Sequence, residues 1–328
     1  MELETRSENT KSFVKKLLVH FGDRPLSDFC EPGVAQKESD GACKAILRTG
    51  SKGATQLRQV VTPLRAILVH AAERGLIPFA PKISTPTIEK TDTAALKPEQ
   101  VIALIRAAAP RVRVMLTFAV GTGARPAEYL DLEWPDVDLK GKQVKLTLKG
   151  GGTRRYMMPP VVLAALESLP HREGYVFQTG DGKRYRDTDR QGGGQFKTAW
   201  AGACNRAGLP GEVRVYERKD RKQGPSYERF APEHTPYILR HSWASWHYRQ
   251  HKDLVLLQSD GGWESQDMLQ VYVHLMPAAY LPEIIDFLEG RVDLHFGEPA
   301  VDNRMRSIAA QSGRTTPLGR PKRSTTRS

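Results

Sequence analysis

The chain has 328 residues, a formal net charge of +12, and 39% hydrophobic and 26% charged residues. That leaves room for about two domains of ~100–200 residues, each with its own core. No apolar run approaches the ~18–20 residues of a membrane span, the polar first residues are not a signal peptide, and Cys30, Cys43 and Cys204 are too scattered for a disulfide framework or metal motif. Membrane and disulfide-scaffold classes are thereby excluded, and the cytoplasm is the expected compartment.

In chain order, mixed apolar and basic positions over 11–30 and 43–50 predict short helices. From Gln56 to Arg74, Leu57, Val60, Val61, Leu64, Ile67, Leu68 and Ala71 recur at helical spacing, and Gly75 supplies the stop. Pro63 interrupts this pattern, so either two helices or one kinked helix is expected. Pro78, Pro81 and Pro86 among Ser and Thr make Ile77–Ala95 an interdomain passage, with 1–85 as the first domain and 86–95 as the linker.

The second domain, 96–290, opens with a helix from Pro98, with Val101, Leu104, Ile105 and Ala108 on one face. Arg113–Val120 reads as a buried helix ending at Gly121-Thr122-Gly123. From Lys142 to Leu148, Val144, Leu146 and Leu148 alternate with Lys145 and Thr147, the period of a half-buried strand. Gly150-Gly151-Gly152 then turns into a partner strand near Tyr156–Met158. A helix at Val161–Leu169 and a loop-rich insert at 180–194 follow. Further helices are expected at Pro236–Gln250, Leu254–Ser259, Gln266–Leu275 and Leu281–Leu288. The fold class is therefore mainly α with a small antiparallel β-sheet. Residues 297–328 are rich in Arg, Ser, Thr, Gly and Pro and predict a disordered basic tail. Half of the net charge lies beyond residue 300, which leaves a mildly basic body suited to a polyanion partner.

Three segments carry groups suited to an anion. In Thr122-Gly123-Ala124-Arg125-Pro126-Ala127-Glu128, Pro126 fits the first position of a helix and puts Arg125 at its positive end. Pairing of Arg125 with Glu128 is the plainer alternative. In Thr235-Pro236-Tyr237-Ile238-Leu239-Arg240-His241, Thr235 can cap and Pro236 can begin a helix whose near face holds Tyr237, Arg240 and His241. A core tyrosine and a solvated arginine are the alternative there. Gly261-Gly262-Trp263-Glu264-Ser265 is a glycine break before a helix capped by Ser265, with Tyr272 well inside it. Taken singly, such aromatic residues are usually core packing.

Arg125 with Pro126 and Glu128, Tyr237-x-x-Arg240-His241, Gly262-Trp263, and Tyr272-Val273-His274-Leu275 together resemble the tyrosine recombinase (phage integrase) family over residues 96–285. The four motifs stand in the family's order, with its nine-residue gap before the nucleophile. Residues 55–85, including Leu68–Pro78, resemble the end of that family's helical core-binding domain. The resemblance implies that Arg125 and Arg240 bind phosphate, Trp263 fills a third binding position where the family has His or Trp, and Tyr272 is the nucleophile. Lys149 matches the hairpin lysine, the general acid, with Lys145 or the Arg154-Arg155 pair as alternatives because the triple glycine blurs the register. Tyr237 departs from the family's His or Lys. A phenol, with a reference pKa of about 10, is a poor base at neutral pH. The phosphate, water or His241 are then the candidate proton acceptors.

What the family implies is cleavage and rejoining of double-stranded DNA through a 3′-phosphotyrosyl intermediate, without metal, ATP or other cofactor. It also implies four protomers in a synaptic tetramer that exchange a C-terminal helix, for which Tyr280–Leu288 is the candidate, and leaves room for an accessory DNA-bending or directionality protein. Three rivals stand beside this reading. They are a noncatalytic DNA-binding protein on the same fold, a type IB topoisomerase, and a zinc protein using His241, His247 and His251.

Overall fold

A computed structural model describes residues 8–89, 93–148, 151–185, 194–216 and 226–296. The chain divides into two compact units, 1–92 and 93–328. Among the described residues no helix is long and apolar enough to cross a membrane, and all three cysteines are free. The expected tail at 297–328 lies outside the described residues.

The first unit is helical: α1 (Glu8–Phe21), α2 (Val34–Ile46), α3 (Gly53–Gln56) and α4 (Thr62–Glu73). Leu17, Phe29, Val60, Leu64 and Leu68 centre its core. The helix expected over 43–50 lies earlier, because α2 buries Ala35, Ser39 and Ala42, small residues with little hydropathy signal. Between α3 and α4 the backbone winds as a π-turn, Leu57–Val61, in which Thr62 N–H reaches back to the Leu57 carbonyl. This wider turn accommodates Pro63, which has no N–H to donate, without breaking the run. Ile77 and Ile83 of the expected interdomain passage are core residues of this unit, and the Ile83 carbonyl accepts from Arg65 Nε at 3.1 Å.

The second unit comprises α5 (Pro98–Ala107), α6 (Pro110–Thr122), α7 (Pro126–Leu130), β1 (Val137–Asp138), β2 (Gln143–Thr147), β3 (Thr153–Met157) and α8 (Pro160–Glu167). After these come α9 (Gly194–Ala207), β4 (Gly211–Tyr216), β5 (Tyr227–Pro232), α10 (Ile238–His251), α11 (Leu254–Gly261), a 3₁₀ segment (Gln266–Val273) and α12 (Leu281–Leu288). Strands β1-β2-β3 form one antiparallel sheet and β4-β5 a separate hairpin. The β2–β3 register pairs Val144 with Tyr156 and Leu146 with Arg154. Val144 and Leu146 face the core, as their alternation requires.

Helix α6 is buried on nearly every side, from Val112 to Thr122. Arg113 at its start is fully buried and donates to the carbonyls of Ile105 (3.1 Å), Arg106 (2.9 Å) and Ala108 (3.2 Å). These include open carbonyls at the C-terminus of α5, where a cation is favoured. Gly121 is also required here, since a Cβ would stand 2.3 Å from Val162.

One expectation needs correction. The helix expected over Gln266–Leu275 is instead a 3₁₀ segment, Gln266–Val273, although Ser265 caps it as expected by accepting from Asp267 N–H. Helix α12, the candidate for exchange between subunits, packs on its own chain in this single-chain structure. Ile284 and Phe287 are fully buried, and Phe287 lies edge-on to Trp246 at 5.5 Å. Phe287→Ala is therefore expected to cost about 3–5 kcal/mol. Denaturant unfolding followed by tryptophan fluorescence measures this, because all five tryptophans lie in the second unit. The loss should not vary with protein concentration. A concentration-dependent loss would mean that Phe287 is buried by a second chain.

Candidate active site

The site is assembled at the ends of α6 and α11 and the start of α10. Helix α6 ends at Gly123, which has a left-handed φ of 63°. A Cβ there would lie 2.2 Å from the Trp243 ring, so glycine answers both a backbone and a packing demand. Arg125 follows in extended conformation, as a residue before proline prefers. Its N–H donates to Glu128 Oε2 at 2.9 Å and its Nη1 to Oε1 at 2.6 Å. The Glu128 side chain is only 2% exposed, so this pair is a built clamp, not a solvated bridge. Helix α7 spans five residues, too few for the helix-end anion site expected from the sequence. Positive potential here comes from guanidinium groups.

Helix α10 begins at Ile238, two residues later than expected, and Thr235 provides no side-chain cap. The N–H groups of Ile238, Leu239 and Arg240 close instead on the carbonyls of Thr235, Pro236 and Tyr237. Arg240 is 1% exposed. Its Nη1 donates to the Gly123 carbonyl and its Nη2 to the Gly261 carbonyl, each at 2.7 Å. Its guanidinium carbon stands 4.0 Å from the centre of the Trp263 ring. Tyr237, one turn before His241, meets that imidazole edge-on at 5.0 Å.

Helix α11 ends at Gly261, and Gly262 takes a left-handed φ of 64°. The Gly262 carbonyl accepts from Arg125 Nη2 at 3.3 Å. Consecutive carbonyls thus hold the two guanidiniums side by side. A Cβ on Gly261 would lie 1.7 Å from the Trp263 ring. Trp263 stacks on Trp243 at 6.0 Å and 14° and leans on Tyr272 at 5.7 Å.

Tyr272 is 4% exposed. Its hydroxyl lies 2.8 Å from His241 Nδ1, and its ring packs among Trp243, Ala244, Leu257 and Leu269. Burial pushes the phenol up to about 12, helped by Tyr237, while Arg240 and Arg125 pull it down. Burial lowers the His241 imidazole from its ordinary value, with Arg240 and His234 acting the same way. Burial and the neighbouring Arg125 lower Arg240, although a guanidinium stays charged at neutral pH.

Sequence reasoning missed the ties around this centre. Arg154, offered as an alternative to Lys149, is buried. It donates to the carbonyls of Asp260 and Thr122 and lies 3.7 Å from Glu128, so it braces the site instead of reaching out of it. The Asp260 carboxylate is 2.8 Å from His247 Nε2. These partners are 13 to 106 residues apart, beyond any local pattern. Lys145 pairs with Asp136 at 3.1 Å, Arg155 is exposed, and Lys149 lies outside the described residues. His241 turns to Tyr272 and His247 to Asp260, so the three histidines of the zinc rival do not converge. Among the described residues no group of three potential ligands forms a metal site.

The elevated phenol has a consequence for stability. The neutral form of Tyr272 stabilises the fold fully below its ordinary value of 10, and that contribution is lost as pH rises towards about 12. Tyr272→Phe should therefore lose less stability across this window than the native chain, as read by denaturant unfolding at each pH. Equal losses would contradict the burial of this hydroxyl.

The phage integrase family model matches residues 94–278, more than half of the chain. The integrase of Salmonella phage P22 is 26% identical over 221 residues, covering 64% of this chain and 51% of that protein. Tyrosine recombinase XerA of Pyrococcus furiosus is 25% identical over 294 residues, covering 87% of this chain and 90% of that one. The match therefore spans about half of the P22 relative and nearly all of the archaeal one. Among solved structures, a lambda integrase dimer bound to a core site superposes with a TM-score of 0.60 at 16% identity, covering 83% of this chain and 90% of that one. The Tn1549 transposon integrase in complex with circular intermediate DNA gives 0.59 at 16% identity, covering 86% and 94%. These likenesses show a shared fold. With the family model spanning both arginine motifs, Trp263 and Tyr272, the chain belongs to the phage integrase family.

Proposed function

We propose that this protein is a site-specific DNA recombinase that cleaves and rejoins strands through a 3′-phosphotyrosyl bond at Tyr272. The observation that carries this reading is the pair of guanidiniums, Arg125 and Arg240, held on the consecutive carbonyls of Gly262 and Gly261. The Tyr272 ring is adjacent across Trp263.

Attack on a phosphodiester gathers negative charge on the phosphorus oxygens in a five-coordinate transition state. Forked, permanently charged donors suit those oxygens. Arg240 spends one N–H on each of two carbonyls and, with five N–H groups in all, keeps donors for phosphate. The Trp263 indole N–H donates to no group among the described residues and serves as a further donor. It cannot shuttle protons. Lys149, which the resemblance matches to the family's hairpin lysine, protonates the departing 5′ oxygen as general acid. The Tyr272–phosphate bond conserves the energy of the broken linkage, so rejoining needs neither a nucleotide nor a metal.

The substrate in this reading is double-stranded DNA, and the protein acts in the cytoplasm. Exchange between two duplexes calls for four protomers in a tetramer, with an accessory protein setting direction where one exists. A groove in the first unit lined by Lys11, Lys15, Lys16 and His20 supports a second hold on the DNA backbone. Such a hold would weaken with salt.

The test is covalent trapping on a nicked suicide duplex, with target sequences selected from a randomised pool. Tyr272→Phe should bind the selected duplex and form no adduct. Arg240→Ala should lose cleavage by about 100- to 1000-fold, the cost of one preorganised oxyanion donor, with far less loss of binding. An adduct formed by Tyr272→Phe would refute the assignment.

A further inference from the structure

His241 stands next to Arg240 on α10, and its Nδ1 is 2.8 Å from the Tyr272 hydroxyl. Among the described residues it is the only hydrogen-bond partner of that hydroxyl. Tyr237, which occupies the position where the family has His or Lys, makes no hydrogen bond to that hydroxyl among the described residues. Its ring lies edge-on to His241 at 5.0 Å. For the phenol to donate to Nδ1, the imidazole must carry its own hydrogen on Nε2.

Resting on the recombinase reading, we infer that His241 is a catalytic residue, the general base that takes the Tyr272 proton during cleavage and returns it during rejoining. As the Tyr272 oxygen forms its bond to phosphorus, its proton moves to His241 Nδ1. The bond from phosphorus to the 5′ oxygen breaks, and that oxygen receives a proton from the general acid. The products are a phosphotyrosine, an imidazolium and a free 5′ hydroxyl. Reversal returns each proton to its origin, so the step balances without a co-reactant.

Geometry and charge agree on the timing. The phenol is raised by burial and the imidazole lowered by burial and Arg240, so free phenolate is scarce before attack. Proton transfer therefore accompanies bond formation. Imidazolium beside Arg240 is unfavourable until the DNA phosphate supplies negative charge. This ties proton removal to the presence of substrate and favours return of the proton when the strand is resealed. Tyr237, whose ring packs edge-on against the imidazole, acts as a positioning residue.

The test uses the full chain and a duplex selected by covalent capture with the native protein. It is prepared in two forms, one with the natural 5′ oxygen and one with a bridging sulfur that leaves without a proton. His241→Ala should form the adduct about 100-fold or more slowly on both forms, within the range for general bases. Its DNA affinity should be unchanged, and added imidazole should restore at least part of the rate. His241→Gln, which fills the space but cannot act as a base, should be equally slow. Three results would overturn the inference: a His241→Ala rate close to native, a defect erased by the bridging sulfur, or a defect that imidazole leaves untouched. The first removes the role, the second moves it to the leaving group, and the third reduces it to packing. Failure of the native protein to form an adduct with any duplex would instead defeat the recombinase reading itself, and this inference with it.

Discussion

The guanidinium of Arg240, 1% exposed, is matched by two backbone carbonyls and no carboxylate. Burying an ion costs several kcal/mol unless its donors are satisfied. A carboxylate would satisfy them by cancelling the charge. The carbonyls of Gly123 and Gly261 satisfy two donors and leave the charge in place. Glu128, the carboxylate within this centre, goes to Arg125 and, at longer range, to Arg154. Three guanidiniums around one carboxylate leave a surplus of positive charge in a low-dielectric setting, where it acts strongly on an approaching phosphate.

Much of the local architecture serves to bring those two carbonyls to Arg240. Gly123 must be glycine because its φ is positive and Trp243 packs against it. Gly261 must be glycine because Trp263 lies where a side chain would project. The turn at 261–262 is anchored from behind by Asp260, whose carboxylate meets His247 and whose carbonyl meets Arg154. Arg154 in turn links β3 to the end of α6. Trp243, Trp263 and Arg240 then form a stack that combines dispersion with cation–π attraction. Tyr272 packs at the edge of this stack with its hydroxyl on His241. The nucleophile candidate is therefore held by the same groups that hold the positive charge.

Much of this was legible before any coordinates. Periodicity located α4, α5, β2 and α12 because each buries a stripe of large apolar residues, while α6 stood out as a run buried on nearly every side. The sequence pattern places helix α2 too late because its buried face is Ala35, Ser39 and Ala42. The β4–β5 hairpin gave no signal, since Val213 and Val215 are exposed and alternate around Arg214 without a core to face. At the centre, Arg125, Tyr237, Arg240, Trp263 and Tyr272 could be singled out because each sits in a short motif with its own turn or cap residues. The choice between His241 and other proton acceptors could not be made from sequence. It depends on a contact across 31 residues, between a helix and a 3₁₀ segment that the pattern presents as a second α-helix. The bracing role of Arg154 is hidden for a related reason: on a strand, period two says that a residue faces inward, but not that a guanidinium will find carbonyls there.

The most direct measurement is a crystal structure of the full chain on a nicked duplex with vanadate filling the phosphate position. Vanadium should be bonded to the Tyr272 oxygen, with Arg125 and Arg240 donating to its equatorial oxygens while Arg240 keeps the carbonyls of Gly123 and Gly261. An Arg240 that had left those carbonyls for a carboxylate, or a vanadate bound away from both guanidiniums, would contradict the account of a charge kept uncancelled for phosphate.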